Sequence, residues 1–127
     1  MSTPVSATGT RPMPSAGLEL TLWWFMRISG LVLVILALGH LVIMHIINNV
    51  DTIDYAFVAA RWATPFWRTY DWVMLTLALL HGLNGARVIA DDYTRGGWRL
   101  FWQSTIWVVG FLTFAFGTMA LFTFQPK

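Results

Sequence analysis

The residues with chemistry to offer are concentrated in one stretch, His81-Gly82-Leu83-Asn84-Gly85-Ala86-Arg87-Val88-Ile89-Ala90-Asp91-Asp92-Tyr93. An imidazole can ligate a metal or carry a proton, a guanidinium can clasp a carboxylate, and a phenol beside carboxylates can donate to a carbonyl and supply protons. The stretch lies inside a run apolar enough to cross a bilayer, where a central Arg costs about 2.5–3.5 kcal/mol on insertion scales. Polar groups placed there mark function. On a helix turning about 100° per residue, Asn84, Arg87 and Asp91 share a stripe with His81 at its edge, and that stripe must face other helices, a cofactor or a hydrated cavity.

His81 falls near the middle of its run and has no acidic partner at helical spacing with which to relay protons. A neutral imidazole coordinating haem iron accounts for both the burial and the missing carboxylate, whereas a lone buried histidine elsewhere is commonly a packing residue. Gly82 and Gly85 thin the helix around it, leaving room for a neighbouring helix or for a flat macrocycle. Arg87 lies about 9 Å farther along the helix, and Arg27 enters the first apolar run at a similar depth. Two guanidiniums at that level suit haem propionates; the plainer reading is snorkelling to lipid phosphates.

His40 and His45 belong to the first run and are about 140° apart around it, so they do not serve one iron together. His40, the deeper, is the reserve candidate for iron. Ser29 shares nearly the same face as His40, about 16 Å lower, and either donates to a ligand carbonyl or bonds back to its own helix. Asp91 and Asp92 oppose the helix dipole, an offence that Arg95 and Arg99 can offset. The alternative is that Tyr93 donates to a carbonyl, with Asp92 or Asp91 supplying protons.

Three spans must position these residues, over about 18–48, 68–91 and 99–124, each long enough for the roughly 20 residues that a bilayer requires. The fold expected is therefore an all-α membrane protein. Residues 1–17, with Pro4, Pro12 and Pro14 and no apolar periodicity, read as a flexible arm rather than a cleaved signal, and 18–127 as the membrane domain. The connection after the first span is rich in interfacial aromatics, and its Ala56–Trp62 portion suits a short helix along the membrane surface. Gly96-Gly97 reads as a breaker pair in the loop before the third span.

Composition agrees. The 127 residues are 57% hydrophobic and 11% charged, with eight Trp, nine Phe and three Tyr, and the mean hydropathy is +0.61. The absence of cysteine excludes thiolate metal sites, iron–sulfur ligation by this chain and disulfides. A net charge of +2 with scattered arginines gives no nucleic-acid footprint. With the N-terminus inside, the cytoplasmic side holds Arg11, Arg27, Arg87, Arg95 and Arg99 against Arg61, Arg68 and Lys127 outside, which favours a cytoplasmic N-terminus; the membrane expected is a bacterial cytoplasmic one.

His81 followed a dozen residues later by Asp92-Tyr93, together with Arg27-Ile28-Ser29-Gly30 in the first span, resembles the hydrophobic membrane-anchor subunits of succinate dehydrogenase (respiratory complex II), most of all the smaller, D-type anchor. The resemblance covers most of the chain beyond residue 18. It implies that the three helices form half of a haem-binding bundle. His81 would be one axial ligand of haem b, with the second histidine from a partner C-type anchor. Arg27 would sit by the propionates. Tyr93 and Asp92 would line a site for ubiquinone or menaquinone under the iron–sulfur subunit, itself fed by a flavoprotein subunit. Asn84, Arg87, Asp91 and His40 lie outside the shared pattern. Two other readings stand beside it: a cofactor-free membrane scaffold whose polar stripe bonds partner helices, and a small transporter subunit whose stripe lines a pathway.

Overall fold

The structure, a computed structural model, describes residues 16–124. Most of the expected arm over 1–17, and Lys127, lie outside the described residues. Helix α1 covers Gly17–Leu41 and runs on through a π-helical turn, Val42–Ile47. A single 3-10 turn, Val50–Thr52, leads to the short helix α2, Tyr55–Trp62, then α3, Pro65–Tyr93, and α4, Gly96–Thr123. Among the described residues there is no strand, and three of these helical runs are long and apolar enough to cross a membrane.

Local chemistry explains where the elements begin. The Asp54 side chain caps α2 by accepting from the Phe57 amide at 2.9 Å. Pro65 opens α3, its fixed φ suited to a first turn that has no use for its missing N–H, so the helix starts before the expected residue 68. Gly96 adopts φ +58, reversing the chain at once. The glycine pair expected in a loop therefore opens α4.

Helix α3 is the middle of the bundle and packs on α1, α2 and α4. Rising positions on α1 meet falling positions on α3: Ser29 meets His81, and Glu19 meets Arg87. The same holds for α3 and α4, where Leu75 lies on Gly117, Leu83 on Gly110 and Asp91 on Gln103. The three spans are thus antiparallel neighbours, up, down and up. Leu83 and Leu75 press so close to Gly110 and Gly117 that any side chain there would collide with them, the small-residue packing by which membrane helices approach.

Burial is inverted relative to a soluble protein. Among the described residues, Ala59 and Leu121 are the buried apolar side chains, while Ser29, Arg61 and Asn84 are the buried polar ones. Outward-facing Leu, Ile, Val and Phe meet lipid, and polar groups turn inward where partners satisfy them. With 29 residues, α3 is about 44 Å long and exceeds the roughly 30 Å of hydrocarbon, so both its ends reach the headgroup zones.

Candidate functional site

Two polar levels face α1 from α3. At the deeper one, His81 Nδ1 and Ser29 Oγ are 2.8 Å apart. Ser29 is 2% exposed and comes from the middle of α1. Beside it, Gly30 leaves the imidazole edge uncovered: a Cβ there would lie 3.3 Å from His81 Cε1. Ser29 is the hydrogen-bond partner of the ring among the described residues, so Nε2 is not spent on the chain's own polar groups. An imidazole that spends one nitrogen on a partner and keeps the other has the arrangement of a metal ligand, in which the bonded nitrogen fixes tautomer and orientation. The residues present therefore fit a ligand to haem iron at His81. The sequence offered no register between α1 and α3; their antiparallel pairing brings Ser29 and His81 to one depth.

At the second level, Arg87 Nε donates to Asn84 Oδ1 at 3.2 Å, and both terminal nitrogens donate to the Glu19 carboxylate at 3.2 Å. Asp91 follows one turn later, 3.8 Å from Arg87, and accepts from Arg99 Nε at 2.6 Å and from Gln103. The stripe read from sequence as Asn84, Arg87 and Asp91 is thus one network tying α1, α3 and α4. His81 stands apart from it with Ser29. Arg99 supplies the offset for Asp91.

Arg27 is exposed, with its guanidinium carbon 3.9 Å from the centre of the Trp23 ring. Asp92 is exposed, and Tyr93, 86% exposed, ends α3 with its hydroxyl unclaimed by other described residues. His45 is exposed and His40 half-buried. His40 lies about 16 Å along α1 from Ser29, so it and His81 occupy different depths.

At the opposite end of α3 the structure holds a cluster that sequence reasoning missed. Arg61, 7% exposed, reaches from α2 to Asp71 with two hydrogen bonds of 3.3 and 3.0 Å, and Trp62 Nε1 donates to Asp71 Oδ2 at 2.8 Å. Arg61 also stacks over Trp67, 4.2 Å from the ring centre. Arg68 donates to the carbonyls of Trp62 and Phe124, and Tyr70 to that of Leu36. The only signal available was an acid close to the start of an apolar run and an arginine in the preceding connection.

Three apolar spans packed as antiparallel neighbours, with Ser29 and Asn84 buried between them, define a helical membrane protein. The chain belongs to the succinate dehydrogenase/fumarate reductase transmembrane subunit family, whose family model matches residues 6–120. It is 29% identical over 107 residues to the succinate dehydrogenase hydrophobic membrane anchor subunit of Archaeoglobus fulgidus, covering 84% of this chain and 91% of the relative. The family is the one that His81, Asp92-Tyr93 and Arg27-Ile28-Ser29-Gly30 pointed to. Its membership and the three apolar helices make the chain an integral membrane protein.

Proposed function

We propose that this chain is the D-type anchor of a succinate:quinone oxidoreductase, holding haem b through His81 Nε2 and contributing Tyr93 and Asp92 to the quinone site. The observation that carries the reading is the contact between Ser29 Oγ and His81 Nδ1 at 2.8 Å. With Nδ1–H donating to Ser29, the lone pair of Nε2 is available and the ring cannot turn away. Haem b, when bound, supplies one-electron redox chemistry close to the quinone.

Arg27 and Arg87 are the cations available to the propionates, Arg27 from its exposed position over Trp23 and Arg87 from its network. Ser29 is assigned to the ring and not to the quinone. Tyr93 stands exposed at the end of α3, where its hydroxyl can donate to a quinone carbonyl while the neighbouring Asp92 supplies protons. Partners follow from the same reading: a C-type anchor giving the second axial histidine, an iron–sulfur subunit over the Tyr93 end, and a flavoprotein subunit beyond it. The assembly would sit in a bacterial cytoplasmic membrane with this chain's N-terminus in the cytoplasm.

The test is the visible spectrum of the assembled, dithionite-reduced complex. A b-type band is expected that His81→Ala abolishes, together with impaired quinone reduction in Tyr93→Phe. No band in the assembled complex overturns the haem assignment. Full haem retention in His81→Ala moves the ligand to His40 or to another chain, and unchanged kinetics in Tyr93→Phe removes Tyr93 from the quinone site.

A further inference from the structure

We propose that Arg87 and Asn84 form a carboxylate-binding site that Glu19 fills and yields to a haem propionate when haem binds. The inference rests on the haem reading above. Its basis is an asymmetry within the ion pair. The receiving side is built: Asn84 is 4% exposed and holds Arg87 Nε at 3.2 Å, the Arg87 side chain is 17% exposed, and Asp91 steadies it from the next turn at 3.8 Å. What the guanidinium presents outward is its two-nitrogen fork, the geometry that matches a carboxylate.

The occupant is held loosely. The Glu19 side chain is 61% exposed, sits in the first turn of α1, and has Arg87 as its partner among the described residues. The Ala16 residue preceding that helix provides no side-chain cap. A pair with one partner so exposed holds weakly.

Depth completes the argument. His81 and Arg87 stand on the same helix, and six residues separate their levels by about 9 Å. That matches a macrocycle whose iron is held at one level and whose carboxylates reach the other. A haem carries two propionates, and the chain offers two guanidiniums: Arg27, with no carboxylate partner among the described residues, and Arg87, with one that can be exchanged.

Glu19→Gln tests the exchange, because it keeps the shape and removes the competing charge at an exposed position. Haemin is titrated into the assembled, haem-depleted complex, in parallel with haemin dimethyl ester, whose propionates carry no charge. Glu19→Gln is expected to tighten haemin binding about two- to fivefold, the size of a mostly exposed ion pair, and to leave the ester unchanged. Unchanged or weaker haemin binding overturns the inference, and so does equal tightening of haemin and ester. A His81→Ala complex titrated alongside separates the two levels: if it binds haemin as the parent does, the haem reading itself fails. If it loses binding while Glu19→Gln has no effect, only the exchange fails.

Discussion

Arg61 and Asp71 form a two-bonded ion pair with side chains only 5% and 13% exposed, at the end of α3 remote from Arg87. The pair fastens α2 to the bundle, with Trp62 Nε1 adding a third donor to the same carboxylate. Removing one partner leaves the other charge buried without compensation, which costs about 3–5 kcal/mol. Asp71→Leu is therefore expected to lower the thermal midpoint of the assembled complex sharply, and Arg61→Met combined with Asp71→Leu to recover much of the loss. An Asp71→Leu complex as stable as the parent would show that the pair holds nothing together.

Leu83 lies against Gly110 with no space between them. A methyl at position 110 would collide with the Leu83 side-chain carbons, so Gly110→Ala must push a side chain aside. Overpacking of this kind costs about 1–3 kcal/mol. The expected result is weaker α3–α4 association, read as a lower unfolding midpoint in detergent, with rescue by Leu83→Ala in the same chain. A stable Gly110→Ala with no need of rescue would mean that α4 can shift outward freely.

The Ser29 hydroxyl bonds the nitrogen of His81 that faces away from iron in the proposed site. Ser29→Ala is expected to leave haem bound but to make the imidazole a poorer donor, raising the haem potential by about 20–60 mV, the equivalent of one net hydrogen bond. Ser29→Thr, which keeps the hydroxyl, is expected to restore it. A redox titration monitored optically decides the matter, and identical potentials in all three would leave Ser29 with a packing role alone.

The spans were legible because hydrocarbon demands long unbroken apolar runs, and 18–48, 68–91 and 99–124 differ from the observed helices by a few residues at their ends. Those ends depended on single residues with special backbone geometry, Pro65 and Gly96, whose effect is local. The family was legible too, in His81, Asp92-Tyr93 and the Arg27–Gly30 opening. The pairings between helices were not. Ser29 with His81 and Glu19 with Arg87 depend on how far α1 slides along α3, and no spacing within either helix encodes that offset. Arg61 and Asp71 meet only because the chain bends between α2 and α3, which separates them in sequence by a distance that belongs to no helical repeat.

The contact of Ser29 with His81 also bears on the order in which the protein is made. The hydroxyl belongs to the first membrane span and the ring to the second, while α4 takes no part in holding the ring and seats itself against α3 through Gly110 and Gly117. A ribosome delivers the spans in that sequence. The Ser29–His81 pair therefore needs only the first two spans in the bilayer, and the third arrives as a buttress behind a pair already in place.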